Sequence, residues 1–126
     1  MSRPDDLLLG LRPAIADLPG PLPTPATVAD FQHRVWRPLL KLQHELLAAV
    51  LEDFAGDYRL PDPAANHAEA ARQRAELLAR NTRLRATLLG VALGLLTGPE
   101  QAFYRQHRPE LNRRYFELLQ VRLLGA

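Results

Sequence analysis

Apolar residues recur every three or four positions along most of this 126-residue chain, and nowhere do they alternate over the length of a strand. That periodicity permits helices and leaves no segment for a sheet. Leu and Ala dominate while β-branched residues are scarce, which points the same way. The sequence therefore predicts an all-α fold: a small bundle of three long, proline-kinked helices with a short helix in front. One domain is expected over residues 1–126, with 1–26 as leader helix and proline-rich connector and 27–126 as the bundle core. A chain of this length buries roughly two thirds of the surface its unfolded form exposes, so one core suffices without a staple.

The leader places Leu7, Leu8, Leu11, Ile15 and Leu18 on one helical face, interrupted by Pro13. Pro19, Pro21, Pro23 and Pro25 then fix φ and remove donors, giving a stiff, extended connector that docks the leader on the bundle. The first long helix is expected from Thr27 to about Phe54, with Thr27 and Asp30 as its capping pair. Its apolar positions form two adjacent rows: Phe31, Val35, Leu39, Leu42, Leu46 and Val50, beside Trp36, Leu40, Leu47, Leu51 and Phe54. Pro38 should kink it, and Gly56 with Leu60-Pro61 should end it.

A second helix is expected to start at Asp62-Pro63 and to persist to Leu96, with a break near Asn81-Thr82. Gly90 and Gly94 put two bare backbone spots on one face, a pattern that predicts close helix packing. Thr97-Gly98-Pro99-Glu100 reads as a stop followed by a new start. The last helix then carries Phe103, Tyr104, Leu111, Tyr115, Phe116 and a Leu-rich end, with Pro109 kinking or restarting it.

Composition narrows the chemistry. With no Cys, disulfides, thiolate metal sites and a thiol nucleophile are excluded, and a cytoplasmic setting is the expectation. Asp5 and Asp6 stand where an export signal needs positive charge, and the apolar run at Leu7 is cut by Gly10. The apolar stretch from Ala86 to Leu96 is about half of what a membrane span needs, so no membrane partner is expected. Ser2 is the only Ser, and no serine elbow, phosphate loop or paired Glu-x-x-His arrangement occurs. His33, His44, His67 and His107 never fall at the three- or four-residue spacing by which one helix chelates a metal. The chain reads as a non-enzyme without a cofactor.

Three features remain. Residues 63–126 carry a net charge of +5 against −3 for residues 1–62, and 15 of the 16 basic residues are Arg. Arginines with aromatics could hold phosphates and stack bases, which makes nucleic-acid binding the alternative function. Glu69 with Arg72, Glu76 with Arg80 and Glu110 with Arg114 instead suggest a salt-bridged surface. Asn81, His107, Asn112, Arg113 and Arg114 cluster near two expected kinks, where they could satisfy freed carbonyls or line a small-ligand notch. The double-width apolar stripe, with Trp36, Tyr104, Tyr115 and Phe116 as candidate interface residues, favours a module that works through protein contacts. A homodimer or a complex with another protein follows as the leading expectation.

Overall fold

The computed structural model describes residues 3–13 and 25–125, and all regular structure among them is helical. Helix α1 spans Asp5–Gly10. Helix α2, Val28–Phe31, continues through a π-helical segment, Gln32–Trp36, into α3, Arg37–Leu42. Helix α4 spans His44–Asp57, α5 His67–Arg80, α6 Thr82–Leu93, α7 Gly98–Gln106 and α8 Arg108–Leu124. Each of the three expected long helices is therefore divided at one joint: Gln43, Asn81 or His107.

The joints have local causes. Thr27 caps α2 as its sequence implies, its hydroxyl accepting the Asp30 N–H at 3.0 Å. Pro38 does not break the helix at its own position. The preceding turn widens into the π segment, which relieves the clash between the proline ring and the carbonyl four residues back. The break falls at Gln43 (φ −100°, ψ 13°), where backbone bonds from Gln43 to Leu39 and from Leu47 to Gln43 carry the chain across. Helix α4 ends on Arg59, which takes the left-handed conformation (φ 56°) commonly occupied by Gly, while Gly56 remains helical.

The expected start at Asp62-Pro63 is displaced to His67. Asp62 Oδ1 accepts the Ala64 N–H at 2.9 Å and its carbonyl takes Ala65 and Asn66, which makes a turn instead of a first helical turn. Asn66 then caps α5 through Glu69 N–H at 3.2 Å. Asn81 ends α5 in extended geometry and caps α6, accepting the Leu84 N–H at 2.8 Å. At Thr97 and Glu100 a complete capping box opens α7. Gly90 and Gly94 are exposed, and no described neighbour lies within 4 Å of a Cβ placed at Gly90, so the close packing expected of this pair is absent among the described residues.

One apolar cluster joins these helices. Phe31, Val35, Trp36, Leu39 and Leu40 meet Leu47 and Leu51 of α4, Leu78 of α5, Leu84 and Leu88 of α6, and Leu111, Tyr115 and Leu119 of α8. Trp36 lies at its centre, 4.9 Å from Phe31 and 4.9 Å from Tyr115 between ring centroids, and donates its indole N–H to the Leu111 carbonyl at 3.0 Å. In α1 only Leu8 is buried, while Leu7 and Leu11 face outward; Ile15, Leu18 and the connector up to Thr24 lie outside the described residues.

Candidate functional site

The residues expected to gather at the kinks divide among separate tasks. Asn81 donates its amide to the Tyr58 hydroxyl at 2.9 Å while capping α6, so its polar groups are used at the α5–α6 joint. His107 forms the α7–α8 joint, with its ring 4.4 Å from that of Phe103. Asn112 accepts the Tyr104 hydroxyl at 2.7 Å. Arg113 bonds Glu110 at 2.7 Å and Glu117 at 2.6 Å, and Arg114 bonds Glu110 at 3.0 Å and Gln32 at 3.0 Å. Two arginines thus hold the Glu110 carboxyl below the ordinary carboxylate value.

Between the two joints lies an open cleft of about 350 Å³, and of the five residues only Asn112 and Arg113 line it. Its wall also includes Arg85, which the sequence places among the basic residues of the second helix and not at this joint. The Arg85 guanidinium sits 3.8 Å above the Phe116 ring and donates to the Leu78 carbonyl at 3.0 Å. The break at Asn81 frees that carbonyl from its helical partner, so Arg85 closes the end of α5.

The four aromatic residues expected at an interface belong to the core. Trp36 and Tyr115 are fully buried, and Tyr104 and Phe116 are 5% and 8% exposed. The Tyr115 hydroxyl donates to the Leu88 carbonyl at 2.6 Å, and burial pushes its pKa up. Most of the wide stripe on the first helix is used the same way: Phe31, Val35, Trp36, Leu39, Leu40, Leu47 and Leu51 are all buried in the core. What stays outside is short: Leu42 and Leu46, one turn apart across the Gln43 joint, are 37% and 48% exposed. Ala49 extends the row, and exposed Lys41 and Glu45 border it.

The arginines are largely engaged. Arg72 pairs with Glu69 at 2.6 Å and with Glu76 at 3.6 Å, so Glu76 turns to Arg72 and not to Arg80 as its spacing suggested. Arg72 and Gln73 together hold the Glu69 carboxyl down to about 2. Arg74 is buried and ties α5 to α4 through both Glu52 oxygens at 2.8 Å, and to the Pro61 carbonyl at 2.8 Å. Exposed Arg80, Arg105 and Arg122 have no ion pair with a described residue, and they stand on three different helices.

A further polar assembly joins the N-terminal segment to the corner between α6 and α7. Arg3 donates to the Gly94 and Leu96 carbonyls at 2.7 and 3.1 Å. Asp5 accepts the Gly98 N–H at 3.0 Å. Arg12 meets both Glu100 oxygens at 2.6 and 2.5 Å and the Leu95 carbonyl at 3.2 Å, with both side chains almost wholly buried. Nothing in sequence spacing signals these contacts, which cross 83 to 93 residues. Among the described residues no group of His, Asp or Glu is placed to hold a metal ion, and no helix is long and apolar enough to cross a membrane. Comparison with protein-family models, with curated proteins and with solved structures finds no match to this chain.

Proposed function

We propose that this chain is a non-enzymatic helical module that acts through protein contacts, and that its first partner is a second copy of itself. The observation that carries this reading is the exposed row Leu42–Leu46–Ala49 along α3 and α4. An apolar centre with charged flanks is the arrangement of a contact surface, in which the rim stays wet while the centre is covered. Lys41 and Glu45 supply one charge of each sign, a composition that a two-fold pairing can match against itself. With the large aromatics consumed by the core, this row takes the interface role. The reading extends to a single helical domain in a reducing, cytoplasmic setting, consistent with the lack of Cys.

Size-exclusion chromatography with light scattering tests it, with absorbance read at two wavelengths to detect nucleic acid. The wild-type chain should run at twice its 14.1 kDa mass, and Leu46→Glu should run as a monomer with an unchanged helical spectrum. A wild-type monomer at high concentration would overturn the reading. Co-eluting nucleic acid would instead favour the exposed arginines of α5, α7 and α8 as the working surface.

A further inference from the structure

The α6–α7 corner holds the N-terminal segment of its own chain through a complementary set of polar groups. Helix α6 ends at Leu93, and the carbonyls of Gly94, Leu95 and Leu96 point onward without helical donors, at the negative end of the helix dipole. Helix α7 begins at Gly98, whose N–H is likewise unpaired within its helix, and adds the buried Glu100 carboxylate. The corner therefore offers acceptors on one side, a donor between, and a fixed negative charge beyond. The segment Arg3–Pro13 presents the complementary series: Arg3 to the carbonyls, Asp5 to the N–H, and Arg12 to the carboxylate.

This strap is suited to leave and return. Its helix is only six residues long and has no side-chain cap, too short to persist by itself. Leu8 is its one buried apolar side chain, while Leu7 and Leu11 are 74% and 55% exposed. Polar contacts thus hold it, and each joins residues far apart in sequence. None requires that strap and corner belong to the same chain.

The geometry points to a second use of the corner: it accepts the Arg3–Pro13 strap of another copy of this chain, so that two copies exchange straps. A reciprocal exchange keeps every strap–corner contact and adds an association between chains. At low concentration the chain's own strap prevails because it is tethered, and exchange grows as the concentration of chains approaches the effective concentration of that tether. The inference does not rest on the Leu42–Leu46 surface, although a dimer formed there would raise the local concentration of the second strap.

Because the chain has no Cys, introduced thiols report the exchange directly. Asp5 accepts the Gly98 N–H, and a Cβ at Gly98 would lie 3.8 Å from Asp5 Oδ2, so side chains at the two positions are direct neighbours. Full-length Asp5→Cys and Gly98→Cys chains are mixed at high concentration, oxidised, and resolved without reductant. Disulfide-linked heterodimer should form about tenfold faster than between Asp5→Cys and a Thr87→Cys control, whose thiol stands on an exposed face of α6. Equal rates for the two mixtures would overturn strap exchange. A second measurement uses charge: Arg12→Glu and Glu100→Arg chains each lose the ion pair, and their mixture regains it only between chains. Native mass spectrometry should then find the heterodimer in excess over either homodimer, and a statistical distribution would count against the proposal. Repeating the thiol experiment in Leu46→Glu chains separates the two ideas. Cross-linking that persists there supports exchange even where the apolar surface fails, and a wild-type dimer without cross-linking confines the strap to its own chain.

Discussion

Replacing Glu100 by Gln separates the charge at the α6–α7 corner from its shape. The amide oxygen can still accept the Thr97 N–H, bonded at 2.9 Å, so the start of α7 is kept. The charge facing two Arg12 nitrogens at 2.6 and 2.5 Å is lost. Removing one partner of a buried ion pair costs about 3–5 kcal/mol when the stranded charge stays buried. On the strap withdrawal proposed above, Arg12 would return to water instead of staying stranded. Withdrawal gives up the burial of Leu8, about 1.5–3 kcal/mol, and charge-assisted hydrogen bonds of about 1.5–3 kcal/mol each. It regains backbone freedom along the strap, so the loss should stay below that of a stranded buried charge, and about 1–2 kcal/mol is expected. At roughly 3–5 °C per kcal/mol for a chain of this size, the thermal midpoint should fall by roughly 3–10 °C. Hydrogen exchange locates the change. The Gly98 amide, bonded to Asp5, and the Leu8 and Leu11 amides should lose protection, while Leu111 and Leu119 in the core keep theirs. Uniform loss of protection with a cost above about 4 kcal/mol would refute the reasoning, since the strap would then be integral to the core. So would unchanged protection at Gly98.

Asn81→Ala removes the α6 cap and the bond to Tyr58, and should cost about 1 kcal/mol in urea unfolding, with the helical signal lost first around the α5–α6 joint. Gly90→Ala, in an exposed helical position with open space at the Cβ, should stabilise the chain by about 0.5–1 kcal/mol; a loss would show that something packs on that face. For Glu52, the hydrogen bond from Arg74 lowers the carboxyl below its ordinary 4.5. Its contribution to stability is therefore complete above about pH 4.5 and fades as pH falls through the lowered value, and Glu69 extends the same trend down to about 2. Glu52→Gln should flatten the acid limb of a stability-against-pH curve and leave its neutral plateau lower, and an unaltered acid slope would contradict the assignment.

What the sequence made legible was local. Thr27 with Asp30 and Asn81 announce helix starts because a cap needs only residues three apart, and both form. At 97–100 the expected stop and new start is present, but Gly98 opens α7 instead of ending α6, with Thr97 as its cap. The start at Asp62-Pro63 was misplaced because two caps compete within a few residues, and Asn66 wins once Asp62 closes a turn. The interface reading of Trp36, Tyr104, Tyr115 and Phe116 failed for another reason. Periodicity gives the width of an apolar stripe, but not how many helices of the same chain cover it. The strap contacts and Arg85 on Phe116 were invisible, since an Arg that bonds a distant carbonyl has no spacing signature.

Sedimentation velocity of the wild-type chain over a wide concentration range, beside Leu46→Glu, tests self-association through the α3–α4 row most directly. The account predicts a monomer–dimer equilibrium that tends to twice 14.1 kDa in the wild type, and a variant still at 14.1 kDa at concentrations where the wild type has dimerised. A wild-type chain that stays at 14.1 kDa throughout, or a variant that associates equally well, would contradict it.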